Sequence, residues 1–229
     1  MTAGLYIVGT PIGNLADITY RAVETLRAAT VIMAEDTRHT RKLLTHYEIS
    51  TPCLSCHKFN EARRCETVLH RLRQGETVAM VSDAGMPAIS DPGSRVVAAV
   101  REAGFPCTVI PGPAAVTSAV ALSGLNSTHF YFEGFLPHKS GKRAKRLKHA
   151  LGIGCPAVFY ESPYRLLKLM HEIEEHISAD THVVVCRELT KKFEETTCGT
   201  PAEIRAQYEN RTVKGELVVI VNPPEKGNQ

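Results

Sequence analysis

Val78 to Val81 is a short apolar run that passes without a break into a polar loop, Ser82-Asp-Ala-Gly-Met-Pro-Ala-Ile-Ser-Asp-Pro-Gly93, and a helical pattern begins near Ser94. A strand that returns through a helix builds a parallel sheet with helices on its faces. Connections of this kind usually need only about 2–6 residues. This one is far longer, is stiffened by Pro87 and Pro92, and carries Gly85 and Gly93, where positive φ or close backbone approach is permitted. Open α/β sheets bind ligands beyond the carboxyl ends of their strands. The loop therefore reads as a ligand-binding element rather than a plain turn.

The same alternation fills the first half of the chain. Leu5–Val8 reads as a strand, Gly9–Leu15 as a loop, and Thr19–Ala29 as a helix with Ala22, Val23 and Leu26 on one face. Val31–Ala34 is a buried strand ending in Glu35-Asp36-Thr37-Arg38, followed by a helix over Thr40–Tyr47 and a strand over Cys53–His57. The next helix carries Val68, Leu69 and Leu72 and stops at Gly75; a helix over Arg95–Ala103 and a strand over Cys107–Ile110 complete the set.

Pro111-Gly-Pro-Ala-Ala115 is the expected pivot, dividing the chain into α/β domains of residues 1–112 and 113–229. The second half begins with a helix to about Gly124 and an aromatic strand-like run, His129–Phe135. Then come a basic stretch, a strand over Pro156–Tyr160, and a helix capped by Ser162 with Pro163 at its first position. Thr181–Cys186 and Glu194–Gly199 are close enough in sequence to pair antiparallel. Thr200-Pro-Ala-Glu203 is a capping box, Gly215–Val221 closes the sheet, and Pro223–Gln229 reads as a frayed tail.

Several function classes fit poorly. Of 229 residues, 43% are hydrophobic and 22% charged, as in soluble globular proteins, and no apolar run is long enough to span a bilayer. The N-terminus has no basic and apolar leader pattern, so the expectation is a cytoplasmic protein with reduced thiols. Cys53-Leu-Ser-Cys56-His57 matches a haem-attachment pattern, but that chemistry needs export, and no second cysteine pair completes a zinc site; no metal is expected. Gly9-Thr-Pro-Ile-Gly-Asn14 stands where a dinucleotide loop would stand, yet Pro11 and Asn14 occupy the second and third glycine positions. Gly141-Lys142 lacks the upstream glycine of a nucleotide-triphosphate loop and is followed by Arg143.

Charged groups mark the strand ends. Asp36 and Arg38 can face a cleft or tidy the strand end as an ion pair. His57, Asn60 and Glu61 form a second polar group, in which Asn60 can equally be a helix cap. Glu161 and Arg165 can pair across one helical turn or face substrate, and Arg187, Glu188 and Lys191 follow a later strand. Lys139, Lys142, Arg143, Lys145, Arg146 and Lys148 crowd one stretch without an acid, against a whole-chain charge of only +3. That local excess suits an RNA backbone.

Taken in order, Val8–Ile18, Ala34–His39, Val81–Gly93, Pro111-Gly-Pro113, Glu133–Pro137, Tyr160-Glu-Ser162 with Arg165, and Arg187–Lys191 resemble the bacterial 16S ribosomal RNA cytidine 2′-O-methyltransferases, of the tetrapyrrole methylase superfamily. The resemblance spans Leu5 to Val221. It implies a two-domain α/β fold with S-adenosylmethionine in the interdomain cleft, a homodimer, and a decoding-centre cytidine of 16S rRNA, naked or in the 30S subunit, as acceptor. It places cofactor contacts at Ile12, Gly13, Ser82, Asp83, Ala84, Gly85, Met86, Ile89, Ala114, Ala115, Tyr160, Glu161 and Leu189. Family members often carry Thr at the position of Met86 and a further C-terminal region of several dozen residues. A base must take the ribose hydroxyl proton; Asp36, His57, Glu61, Asp83, Glu161 and Glu188 are all candidates. Arg38, Asn60, Arg165 and Lys191 are the expected contacts to phosphate or to the target base, which must leave its stack. A tetrapyrrole C-methyltransferase, an RNA-binding assembly protein without turnover, and a nicotinamide oxidoreductase are the alternatives.

Overall fold

The computed structural model describes residues 1–125 and 128–222; the expected tail, 223–229, lies outside the described residues. The chain divides into two compact units, Met1–Ala114 and one that begins at Ala115.

The first unit runs β1 (Gly4–Val8), α1 (Tyr20–Ala28), β2 (Val31–Ala34), α2 (Thr37–His46), β3 (Cys53–Ser55), α3 (Glu61–Arg73), β4 (Thr77–Val81), α4 (Ser94–Glu102) and β5 (Cys107–Ile110). All five strands are parallel, in the order β3-β2-β4-β1-β5. β2 and β4 are buried along their whole length because both faces are covered. Side chains alternate across the sheet: Ile32, Ala34, Ala79 and Val81 pack with Ala22 and Leu26 of α1 and Leu43 and Leu44 of α2. Val31, Met33, Val78 and Met80 pack on the other face with Val68 and Leu72 of α3 and Val96 and Val100 of α4. The chain therefore leaves β1 toward one side of the sheet and leaves β4 toward the other, across the opposite face. That reversal opens a crevice at the carboxyl ends of these two neighbouring strands.

Two boundaries differ from expectation. α2 starts at Thr37 rather than Thr40, because the Asp36 carboxylate accepts the Arg38 amide at 2.8 Å and caps the helix there. β3 ends at Ser55, because the backbone turns at His57.

The second unit runs α5 (Ala115–Leu122), β6 (Tyr131–Phe135), α6 (Ser140–Gly152), β7 (Ala157–Glu161), α7 (Pro163–His176), β8 (His182–Arg187), β9 (Glu195–Gly199), α8 (Pro201–Tyr208) and β10 (Leu217–Asn222). Its sheet is mixed, in the order β6-β7-β10-β8-β9: β6 and β7 are parallel, and the other neighbours are antiparallel. β10 is its central strand rather than a closing edge, consistent with five successive buried residues. α6, α7 and α8 cover one face through Leu147, Leu151, Leu166, Met170, Ile173, Ile204 and Tyr208. The capping box forms as expected, Glu203 N–H donating to Thr200 Oγ1 at 3.3 Å and Thr200 N–H to Glu203 Oε2 at 2.8 Å. Ser162 does not cap α7 with its side chain; its backbone N–H donates instead to Glu161 Oε1 at 2.8 Å.

Candidate functional site

The loops after β1 and β4 meet at the crevice. Thr10 and Gly85 exchange backbone hydrogen bonds at 2.9 and 3.1 Å, and the Thr10 hydroxyl donates to the Ser82 carbonyl at 3.3 Å. Gly9 approaches Gly112 so closely that a Cβ on Gly9 would stand 2.8 Å from Gly112 backbone atoms. Ile12, Gly13, Ser82, Asp83, Ala84, Gly85 and Met86 are thus brought to one corner of the first unit, with Gly112 beside them and Ala114 two residues on. Ile89 projects into solvent from the same loop. Ala88 and Ser90 hold φ of +68° and +63°, left-handed values that cost a non-glycine residue about 1–2 kcal/mol each. Such strain persists where the surroundings over-determine a functional conformation.

This corner is acidic. Burial, then the charges of Asp91 and Asp83, raise the Glu35 carboxyl above its usual range, while the Asp83 backbone N–H supports its ionised form. Asp83 Oδ1 accepts the Asp36 amide at 3.0 Å, so β2 and β4 are cross-linked where they end. Asp91 is raised by burial and by Asp83. Asp36 is different: Arg38 grips it with Nε at 3.1 Å and Nη2 at 2.7 Å and holds it well below the carboxylate range. The loops 9–14 and 82–93 contain no Lys or Arg. A pyrophosphate would find no cation on these two loops, whereas a ligand carrying a sulfonium and an ammonium meets carboxylates and backbone carbonyls. The residues fit such a cation.

At the end of β3, the Cys56 amide bonds to the Ala34 carbonyl at 2.7 Å, and His57 follows just past the strand end, on the same sheet edge as Glu35. Asn60 is not a side-chain helix cap: its Oδ1 accepts the His57 amide at 2.8 Å and its Nδ2 donates to the Ser55 carbonyl at 3.2 Å. Glu61 is buried and caps α4, Oε1 accepting the Gly93 and Arg95 amides at 2.9 Å each. The cysteine motif beside it holds a half-buried Cys53 and a buried Cys56. Burial first, then Glu61 and Cys65, push the Cys56 thiol up to about 11.

In the second unit β6, β7 and β8 point the same way, so Phe135, Tyr160, Glu161 and Leu189 sit at one edge. Tyr160 packs edge-on to Phe132 and Phe135, at 5.0 and 5.5 Å between ring centroids. Two expectations are corrected here. Arg143, expected to meet RNA, is 1% exposed: Nε reaches Glu172 at 2.5 Å and Nη2 reaches Glu161 at 2.6 Å. Glu161, whose other oxygen takes Arg165 at 2.7 Å, is thereby a structural anion rather than an accessible base. Glu188 and Lys191 pair with each other at 2.8 Å, and Lys191 also reaches Glu216 at 2.7 Å. Burial alone would raise Glu188, but these hydrogen bonds outweigh it and hold the carboxyl below its usual value. Arg146 is held in a fork by Glu133 at 2.6 and 2.7 Å. Lys139, Lys142, Lys145 and Lys148 remain on the solvent face.

Sequence reasoning placed Glu35 with the strand-end charges and Asp91 in the ligand loop without giving either a specific role, and it passed over the burial of Arg143. The last had a legible signal: Arg143 occupies the first position of the stripe continued by Leu147, Ala150 and Leu151.

A parallel α/β unit with a cross-linked glycine–proline crevice, followed by a mixed-sheet unit, defines a methylase of the tetrapyrrole class, and residues 4–205 match the family model Tetrapyrrole (Corrin/Porphyrin) Methylases. Among solved structures with this fold are diphthine synthase (TM-score 0.75, 16% identity, covering 96% of this chain and 89% of that one) and a cobalt precorrin-4 methyltransferase (TM-score 0.69, 19% identity, 95% and 94%). A uroporphyrin-III C-methyltransferase from Thermus thermophilus, complexed with S-adenosyl homocysteine, aligns at TM-score 0.65 and 16% identity over 95% and 96%. Much nearer in sequence are proteins named ribosomal RNA small subunit methyltransferase I. The one from Thermotoga maritima is 46% identical over 96% of this chain and 99% of its own, and that from Escherichia coli O157:H7 is 47% identical over 95% and 77%. The chain belongs to the ribosomal RNA small subunit methyltransferase I family.

Proposed function

We propose that the protein transfers the methyl group of S-adenosylmethionine to the ribose 2′-oxygen of a cytidine in small-subunit ribosomal RNA. The observation that carries this reading is identity of 44–47% to small-subunit rRNA methyltransferases along 95% of the chain. The cation-free, acidic crevice between β1 and β4 supports it. Ile12, Gly13, Ser82–Met86 and Ile89 hold the cofactor, with Ala114; in the second unit the same reading assigns Ala115, Tyr160 and the backbone at Leu189. Bound there, S-adenosylmethionine supplies an electrophilic methyl group, so alignment of the acceptor provides most of the acceleration.

The chain's own work is to orient the ribose and take its proton. Glu61, Glu161 and Glu188 are committed to an amide cap or to ion pairs, and Asp36 to Arg38. Asp83, fixed through one oxygen by the Asp36 amide, is the base; His57, the other candidate, has its ring nitrogens engaged by the Phe59 amide and Asn60 Nδ2. Lys139, Lys142 and Lys145 carry RNA phosphates. The protein works in the cytosol as a homodimer; exposed Leu122 on the apolar helix α5 fits a self-contact. Among the described residues no helix is long and apolar enough to cross a membrane.

The test incubates the protein with radiolabelled S-adenosylmethionine and unmethylated small ribosomal subunits, then maps label by nuclease digestion and mass spectrometry. Label on one ribose 2′-oxygen is expected. Label on a base, on a tetrapyrrole offered in competition, or nowhere would refute the reading.

A further inference from the structure

The turn from β3 into α3 displays a side chain that the proposed chemistry has not used. Phe59 is 94% exposed, although burying an aromatic ring removes about 150–250 Å² from water and is strongly favoured. It is not there through looseness. The Phe59 amide donates to His57 Nδ1 at 3.2 Å, and Asn60 and Glu61 amides both donate to the His57 carbonyl, at 2.9 and 3.0 Å. Asn60 ties the same turn to His57 and Ser55, and Arg64 Nε anchors it to the Ser55 carbonyl at 2.7 Å. The His57 ring supports the phenyl edge-on, with centroids 6.1 Å apart. A rigid turn therefore holds an apolar π-face in water.

Its position is as informative as its exposure. β3 is parallel to β2 and β4, so Phe59 stands on the carboxyl edge that also carries Glu35, Asp36 and Asp83. Exposed cations flank it: Lys58 and Arg63 on the turn and α3, while Arg38, paired with Asp36, lies at the start of α2, which leaves the adjacent strand. Of the acids nearby, Asp36 is paired with Arg38 and Glu61 is spent on the α4 amides, whereas Glu35 and Asp83 stay on the same edge toward β4 and Glu66 stays exposed on α3. Aromatic faces flanked by cations are how proteins take unpaired bases of single-stranded nucleic acid. A protein-binding patch would instead want contiguous apolar neighbours, and the residues on either side of Phe59 are Lys58 and Asn60.

We infer that Phe59 is a stacking platform for an unpaired base of the RNA acceptor, holding the strand at the carboxyl edge of the first unit. This rests on the rRNA methyltransferase reading. It adds a positioning residue that holds the acceptor in place without taking part in proton or methyl transfer.

The test compares wild type with Phe59→Ala, Phe59→Leu and Phe59→Tyr. KM and kcat for small subunits are measured, as is the fluorescence of a single-stranded oligoribonucleotide containing 2-aminopurine, which is quenched on stacking. Phe59→Ala and Phe59→Leu should raise KM by about 5- to 150-fold, the range equivalent to ~1–3 kcal/mol of stacking per base. They should also lose the quenching and leave cofactor affinity and melting temperature unchanged. Phe59→Tyr should behave as wild type. An active wild type with an equally active, equally quenching Phe59→Ala overturns the inference alone, and a Phe59→Leu variant equal to wild type replaces stacking by simple apolar contact. A folded wild type that neither binds nor methylates RNA overturns this inference together with the reading beneath it.

Discussion

Replacing Arg143 by Met tests most directly whether the basic stretch is wholly an RNA surface. The guanidinium reaches Glu172 at 2.5 Å and Glu161 at 2.6 Å while 1% exposed, so its removal leaves two carboxylates with less compensation. Breaking a buried ion pair by deleting one partner costs about 3–5 kcal/mol. Here Glu161 keeps Arg165 at 2.7 Å and the Ser162 amide at 2.8 Å, whereas among the described residues Glu172 keeps only a distant Lys168 at 3.9 Å as an ion-pair partner. The loss therefore falls at the low end, about 3 kcal/mol. At about 2–4 °C per kcal/mol for a chain of this size, the melting temperature should drop by about 6–12 °C in scanning calorimetry. Arg143→Met combined with Glu172→Met should recover part of that loss, because the orphaned charge is gone. KM for RNA, measured below the melting range, should stay within about twofold of wild type, since a buried side chain releases no phosphate-bound counterions. A variant that melts within about 2 °C of wild type, yet binds RNA tenfold more weakly, would show that Arg143 faces solvent and would refute the buried cluster.

Three further outcomes follow from the first unit. Glu61→Ala should cost about 1–2 kcal/mol by uncapping the Gly93 and Arg95 amides, seen as a shift in urea midpoint, whereas Glu61→Gln keeps an acceptor and should keep kcat; loss of turnover in folded Glu61→Gln would restore Glu61 as a base. Gly9→Ala should push the β1 and β5 loops apart, since its Cβ would lie 2.7 Å from Met86 Sδ and 2.8 Å from Gly112, and calorimetric affinity for S-adenosylmethionine should fall by about tenfold or more. Glu35→Gln should raise the melting temperature at pH 7. The folded-state carboxyl of Glu35 is raised by burial and by Asp91 and Asp83, so its ionisation opposes folding; the gain should vanish as pH falls below about 4, where Glu35 is protonated in both states. An unchanged gain at low pH would mean that charge is not its source.

Much of the first unit could be read from its residues because local signals and tertiary environment agree there. β2 and β4 are apolar runs buried on both faces; in the second unit the Thr200–Glu203 box announces α8 by side-chain chemistry alone. The misreadings come from residues serving two roles. Asp36 looked like a strand-end charge and is also the cap that starts α2 early. Ser162 before Pro163 looked like a cap, but Glu161 takes its amide and α7 begins without a side-chain cap bond. The crevice loops were legible through length, glycine and proline. Which carboxylates stay available was not, because commitment to Arg143, Arg165, Lys191 or the α4 amides is a long-range fact. Arg143, on the same α6 stripe as Leu147, Ala150 and Leu151, was the one partner whose burial its own helix pattern declares.

The strand order of the two units has a consequence for biosynthesis. Every strand of the first sheet lies between Gly4 and Ile110, so that unit can close soon after its own residues emerge. The second sheet is pinned on β10 (Leu217–Asn222), which enters between β7 and β8 but follows β8, ending at Arg187, only after β9 and α8. At about 5–20 residues per second, the nascent chain spends roughly 2–7 s with β7 and β8 lacking the strand that joins them. During that interval Val158, Val184 and their neighbours present unpaired edges, and the burden of keeping them from other chains falls on the translating ribosome and its chaperones.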